Sequence, residues 1–303
     1  MAASPLNTKS YYHVRSISLP SRSHPLNLHF EERLSKLRAS AGTSSTLSSI
    51  CSNIGALTDL FDCVHDLLLL PHIQQKTTIH GRHKQFIDNE LDASLRLLDV
   101  CGTTKDALLQ MKESTQELQS ILRRRRGSKL ELENEIGEHL ASGKKVKKAI
   151  QMSLRKLKSM EDKCTFSPLD KSHDIVAIAC LFTELEAVTF CVFESLLSYI
   201  SGLKVRSRLS GWSLVSKLMH SKYTACREEA PDISEFEKVD SELRTLIVSC
   251  RKGKSKNLHV ENVQISLGKL ESNIQDLEEG LDCLFRHLIK ARVALLNILN
   301  HSS

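Results

Sequence analysis

Basic side chains are concentrated in one segment of this chain. From residue 123 to residue 163 there are thirteen Lys and Arg against six Asp and Glu, although the formal net charge of all 303 residues is +6. Such a segment can bind phosphate groups on an anionic membrane or on nucleic acid, while a solvated helix face is the plainer interpretation. No aromatic residue lies between Phe86 and Phe166, so nucleic acid is the less favoured ligand. The candidate anionic-surface patch consists of Arg123, Arg124, Arg125, Arg126, Lys144, Lys145, Lys147 and Lys148.

A short motif near the N-terminus could carry a phosphate. Arg15 stands three positions before Ser18, which suits a kinase that recognises basic residues, and phosphorylation would add about 1.5 to 2 negative charges. With Ser16 and Pro20 as its other fixed positions, the motif resembles the phosphoserine ligands that 14-3-3 adaptors hold through an arginine cluster. A chance match in a serine-rich stretch explains it equally well.

The residue types that usually carry catalysis form no recognisable pattern. The string Gly253-Lys254-Ser255 has the end of a phosphate-binding loop, but Val248 stands where that loop needs glycine. Among the histidines, His80 and His83 come closest to a ligand spacing, and no cysteine or carboxylate pair near them completes a metal site. We therefore predict a protein that is not an enzyme and that needs no cofactor or metal.

The nine cysteines contain no CxxC pair and suggest a cytoplasmic protein with reduced, mostly buried thiols. Cys180 and Cys191 are expected to fill the core. The first acidic residue is Glu31, and a stretch without acids is also typical of an organellar transit peptide. Because prolines interrupt any amphipathic helix in that stretch, organellar targeting is less favoured than a cytoplasmic location with peripheral membrane association as the alternative.

The strongest structural signal is a long helix at 258–300. Its apolar residues recur at alternating gaps of three and four, the period of a helix that keeps one seam against its neighbours. The seam consists of Val260, Val263, Leu267, Leu270, Ile274, Leu277, Leu281, Leu284, Leu288, Ala291, Leu295 and Ile298.

The two flanks of this seam differ in chemistry, which bears on the partner of the helix. One flank is small and uncharged, with Ser266, Asn273, Gly280 and Ala294. The other flank carries Gln264, Glu271, Glu278, Phe285 and Arg292. A two-stranded zipper usually carries opposite charges at both flanks, so we favour a seam within the chain over a homodimeric coiled coil. The oligomeric state itself stays open.

The remaining chain predicts an all-α fold. The whole sequence has only 12 Gly and 6 Pro to interrupt helices, and its 5% aromatic residues argue against a β core. Helices are predicted at 28–39, 44–70, 83–126, 128–163 and 175–203, with a short one from Trp212 and another opened by Pro231. We expect an elongated multi-helix bundle with long coiled-coil-like helices over residues 28–303, preceded by a disordered Ser/Pro-rich tail over residues 1–27.

The most apolar of these helices, 175–203, raises the question of a membrane span. Glu184, Glu186 and Glu194 fall within it, and a spanning helix needs about 20 nearly uncharged residues. We interpret it instead as a helix deep in the bundle.

Several stretches, taken together, cover the chain nearly end to end and resemble a plant-specific group, the BYPASS-related family. They are HVRSISLPSRSHP at 13–25, SLRLLDVCG at 94–102, WSLVSKLM at 212–219, EGL at 279–281, LFR at 284–286 and LLNIL at 295–299. The resemblance implies an all-helical protein linked to root and shoot development, without a reaction to carry over. We accordingly predict a non-enzymatic helical interaction or adaptor protein, with a peripheral membrane protein that docks on anionic lipid as the alternative.

Overall fold

The computed structural model describes residues 25–41, 46–71, 81–124, 129–161, 173–202, 234–252 and 256–301, and within these ranges it contains helices and no strand. The helices are α1 (Pro25–Ala41), α2 (Leu47–Leu68), α3 (Gly81–Arg124), α4 (Lys129–Glu161), α5 (His173–Ser201), α6 (Glu235–Lys252) and α7 (Lys256–His301). The predicted all-α, elongated bundle is confirmed. At 1.5 Å per residue, α3 and α7 are each more than about 60 Å long.

Some predicted features lie outside the described residues. They include residues 1–24 of the predicted disordered tail with its motif of Arg15, Ser16, Ser18 and Pro20, the helix from Trp212, and Pro231. In the described part of the chain, α1 begins at Pro25 rather than at residue 28. Proline suits the first turn of a helix, because its fixed φ is helical and no N–H is needed there.

The ends of the helices are set by local hydrogen bonds. The Thr46 side chain caps α2 by accepting from the backbone N–H of Ser49 at 3.3 Å, so α2 begins at Leu47 rather than at residue 44. Ser234 caps α6 in the same way, accepting from the N–H of Glu237 at 3.3 Å. α5 ends at Ser201 and is followed by Gly202, whose φ of +67° favours glycine. A Cβ there would also lie 2.8 Å from Cδ of Glu237, so any larger residue would force the Glu237 side chain to move.

The predicted seam of α7 is buried inside the chain. Every residue of that seam is buried except Val260, which is half-buried. α7 packs along α2, α3 and α6, and the remaining major contacts join α3 to α4, α1 to α2, and α5 to α1, α2 and α4. The intramolecular packing predicted for the seam is therefore confirmed.

The charged flank of α7 finds its partners on α3, which runs antiparallel to it. Nζ of Lys112 lies 2.7 Å from Glu278 Oε2 and also bonds Gln275, while Lys105 lies 4.9 Å from the ring centroid of Phe285. Further along, Arg292 donates to the carbonyl oxygen of Leu91 and, at 2.8 Å, to Ser94 Oγ. The small flank packs closely as predicted: a Cβ on Gly280 would lie 3.2 Å from Ile54 Cγ2 of α2.

The prediction that α5 lies deep in the bundle is confirmed for its second half, where nearly every residue from Val188 to Ser201 is buried. Tyr199 ties α5 to α6, because its hydroxyl donates to Glu235 Oε2 at 3.0 Å and its ring meets Phe236 edge-on at 5.8 Å. None of the helices in the described ranges has a stretch long and apolar enough to cross a bilayer.

Candidate interaction surfaces

The predicted basic segment divides into two clusters in the structure. Arg123 and Arg124 are exposed at the end of α3, with Arg123 donating to Gln119 Oε1 at 3.0 Å. Arg125 and Arg126 lie outside the described residues. The lysines begin fifteen residues into α4, roughly 20 Å along the helix from its start. The intervening turns of α4 carry Glu131, Glu133, Glu135 and Glu138, so the eight predicted residues do not form one continuous patch.

The four predicted lysines of α4 face two directions. Lys147 points towards α6 and pairs with Asp240 at 2.7 Å, where the two side chains are only 20% and 24% exposed. Lys144, Lys145 and Lys148 stand in solvent, and no ion pair between described residues involves them. Lys147 thus helps to hold the bundle together, whereas the other three are available to a ligand.

The exposed basic surface continues beyond the four lysines to Arg155 and Lys156, which belong to the same basic segment of the sequence. Lys144, Lys145, Lys148, Arg155 and Lys156 share the solvent side of α4, which we call the α4 basic face. Met152, 56% exposed, stands among them one turn from Lys148, Arg155 and Lys156. No acidic residue occurs from residue 139 to residue 160, so the stretch of α4 that carries these side chains contributes only positive charge. The gaps of three and four residues between these positions already indicate that they share one side of the helix.

Acidic side chains line a cleft of about 320 Å³ between α3 and α4. Four glutamates border it, Glu113, Glu117, Glu135 and Glu138, together with His139. Nδ1 of His139 lies 2.8 Å from Oγ of Ser114, and burial lowers the pKa of this imidazole below its usual value. Within the described ranges no group of three or more His, Cys, Asp and Glu side chains has an arrangement suited to a metal ion. We therefore treat His139 as part of the contact between the two helices.

Apolar side chains are exposed together where α3 and α7 lie side by side. Because Arg292 bonds Leu91 and Ser94, residues 289–296 of α7 run next to Leu95 of α3. The exposed apolar residues here, which with their charged neighbours we call the α3–α7 outer face, are Leu95 (48%), Ile289 (41%), Val293 (48%) and Leu296 (36%).

Charges of opposite sign border this outer face on its two sides. Asp92 and Asp99 are exposed on α3, one turn before and one turn after Leu95. Arg286 and Lys290 are exposed on α7, next to Ile289 and Val293. The outer face therefore has an apolar centre, an acidic edge and a basic edge, an arrangement found at protein-binding surfaces.

An acidic pair is half-buried where α2, α3, α5 and α7 meet. Glu90 of α3 and Glu186 of α5 line a cavity of about 30 Å³, whose other walls are mostly apolar. Burial, followed by the proximity of Glu186, raises the pKa of Glu90 to about 8, while Arg96 opposes the shift. Arg96 lies 3.6 Å from Glu186. Glu90 is therefore mostly protonated at neutral pH, which lets two carboxyl groups share one arginine.

The cysteines do not follow the prediction of mostly buried thiols. Cys180 and Cys191, expected in the core, are exposed on α5, because its buried face is set by α1, α2 and α4 rather than by its overall apolar content. Cys101 is buried, bonds the carbonyl oxygen of Leu281 at 3.7 Å, and has a pKa raised by burial to about 12. Such a thiol is a packing residue and not a nucleophile.

The described helices therefore form an all-α bundle with a connected apolar core and with charged and apolar side chains exposed on its surface. A family model described as Protein BPS1 matches residues 53–298, well over half of the chain and from within α2 to near the end of α7. The chain belongs to the BPS1 family, and the resemblance noted from its sequence is confirmed. A search of curated proteins and a search of solved structures find no match.

Proposed function

We propose that this BPS1-family chain is a non-enzymatic helical interaction protein, an adaptor, that acts in plant developmental signalling. The developmental setting rests on the family, for which the sequence resemblance implies a role in roots and shoots. The adaptor role rests on one observation, the α3–α7 outer face, where three large apolar side chains are exposed along α7 and a fourth is exposed on the neighbouring stretch of α3.

The chemistry of the outer face specifies its partner. Ile289, Val293 and Leu296 follow one another at gaps of four and three, so they form a stripe along α7 that suits an amphipathic helix laid against it. Such a helix would carry apolar residues at the same spacing. Basic residues on one of its edges would meet Asp92 and Asp99, and acidic residues on the other would meet Arg286 and Lys290. The proposed partner is therefore a protein with an exposed helix of this pattern.

Site-specific cross-linking tests this proposal. A photoreactive amino acid replaces Val293 in the full chain expressed in plant cells, and a matched chain carries it at Ile265, which is 53% exposed elsewhere on α7. We expect discrete cross-linked products only from position 293, with the linked peptide in an amphipathic helix of the partner. Identical products from both positions, or none from 293, would contradict the adaptor role of this face.

A second candidate function is peripheral docking on anionic lipid through the α4 basic face. The observation that favours it is that Lys144, Lys145 and Lys148 are exposed together on a stretch of α4 without acids. Each exposed lysine contributes about 1 kcal/mol near an anionic membrane surface. Co-sedimentation of the full chain with phosphatidylserine-containing vesicles, and not with phosphatidylcholine vesicles, is the expected result.

Regulation by a 14-3-3 adaptor stays a prediction that rests on Arg15, Ser16, Ser18 and Pro20. A peptide of residues 13–25 phosphorylated on Ser18 should bind a 14-3-3 protein with micromolar or tighter affinity in a calorimetric titration, because the phosphate meets an arginine cluster. The unphosphorylated peptide and an Arg15→Ala phosphopeptide serve as controls. Equal affinity of the phosphorylated and unphosphorylated peptides would refute the prediction.

A further inference from the structure

We infer that α4 lies along the surface of an anionic phospholipid bilayer with the Met152 side chain inserted at the boundary between headgroups and acyl chains. The inference rests on the second candidate function and adds the inserted residue, the extended set of charges and the orientation of the helix.

The orientation follows from the way α4 is packed. Its inner side is buried against α3, α5 and α6 through Ile136, Val146, Ile150, Leu154 and Leu157. The α4 basic face is thus the outer side of the bundle here, and residues 144–156 extend over roughly 18 Å. A flat surface can meet the whole stretch at once.

The charges on this face are all of one sign. Lys144, Lys145 and Lys148 precede Met152, and Arg155 and Lys156 follow it, so basic residues surround the methionine along the helix. The long apolar stems of these side chains let the charged groups stay at the level of the phosphates while the helix itself sits deeper. Lys147, which pairs with Asp240, is not part of the contact.

Met152 provides the apolar part of the contact. Its side chain is 56% exposed, and the exposed Ala149 one turn before it has only a methyl group, so no larger side chain at that position shields Met152. A flexible, unbranched thioether can enter an irregular lipid boundary without a preformed pocket. Nucleic acid would use the same lysines, but it would leave Met152 without a partner because bases stack on flat side chains.

The experiment measures binding of the full-length chain to phosphatidylcholine vesicles with and without phosphatidylserine. We expect Lys144→Glu/Lys145→Glu/Lys148→Glu to abolish binding, since it replaces attraction by repulsion. Met152→Gln should weaken binding about 5- to 10-fold, while Met152→Leu should retain it, because only the former loses the apolar side chain. The matched controls are Lys238→Glu/Arg244→Glu/Lys269→Glu for charge and Ile265→Gln for an exposed apolar residue on α7, and both should bind like the wild type.

The outcomes separate the inference from the function on which it rests. If the α4 charge variant loses binding and Met152→Gln does not, the proposed insertion of Met152 is wrong and docking is purely electrostatic. If the α4 and control charge variants bind alike, or if no vesicles are bound, membrane docking through α4 is itself wrong. Binding to duplex DNA or RNA that depends on the lysines, without vesicle binding, would overturn both and assign the face to nucleic acid.

Discussion

Glu90 shows how a single side chain can make this bundle sensitive to pH. It is half-buried beside Glu186, and among the described residues Arg96 is the one that opposes its raised pKa of about 8. In the unfolded chain the pKa of Glu90 returns to about 4.5. Between these two values the folded chain binds one more proton than the unfolded chain, so its stability falls as pH rises from about 4.5 to 8.

Replacing Glu90 by Gln should remove this dependence. We expect Glu90→Gln to raise the free energy of unfolding by on the order of 2 kcal/mol at pH 8 and to change it little at pH 5, because the neutral amide resembles the protonated acid. Denaturant unfolding at both pH values measures the difference between variant and wild type. An equal difference at pH 5 and pH 8 would show that Glu90 does not titrate in this range.

At the level of the helices, the contact between α3 and α7 carries polar interactions that are partly shielded from water. Lys112 and Glu278 are 22% and 17% exposed, so screening weakens their attraction less than that of a surface pair. A double-mutant cycle with Lys112→Met and Glu278→Gln should give a coupling energy of about 1 kcal/mol. The exposed pair Lys36 and Glu32, with exposures of 73% and 63%, provides the control and should give a coupling near zero. Similar values for both cycles would contradict the role given to the α3–α7 pair.

The contact between α2 and α7 depends on a residue without a side chain. A Cβ on Gly280 would lie 3.2 Å from Ile54 Cγ2, so Gly280→Leu should force the helices apart and cost about 1–3 kcal/mol. Gly268 of the same helix is exposed, with no atom within 4 Å of the corresponding Cβ, and Gly268→Leu should be neutral or stabilising. Thermal unfolding monitored by circular dichroism compares them. A loss of stability in both variants would indicate a general effect of the substitution rather than packing.

For the whole molecule, the buried residues of the described helices form one connected core, in which α7 contacts three other helices. Leu281 has 0% exposure, so Leu281→Ala should lower the free energy of unfolding by about 2–5 kcal/mol. The variant should still unfold in a single transition. The exposed Ile265 of the same helix is the control, and its change to alanine should cost less than about 1 kcal/mol. Hydrogen exchange in α2 and α3 should speed up together with that in α7. Faster exchange confined to α7 would argue against one cooperative core.

The sequence predicted the parts of this structure that repeat along one helix. The seam of α7 and the different chemistry of its flanks depend on the helical period alone, so Leu281 and Gly280 could be placed without a structure. Lys147 could not be separated from its neighbours, because Asp240 is 93 residues away. Glu90 and Glu186 are likewise brought together only by the packing of α5 on the other helices. The α3–α7 outer face was missed for the same reason, since exposure depends on which neighbours cover a helix.

The long range of the α7 contacts also affects how the protein is made. Arg292 bonds Leu91, 201 residues earlier, and Cys101 bonds Leu281 across 180 residues. A ribosome therefore completes α2 and α3 long before it reaches the helix that covers them. During that interval the apolar residues that will face α7, including Ile54 and Cys101, have no partner, and such nascent surfaces bind chaperones or aggregate. Synthesis of α7 is the step that ends this exposure, so translation that stalls before α7 would leave an insoluble fragment.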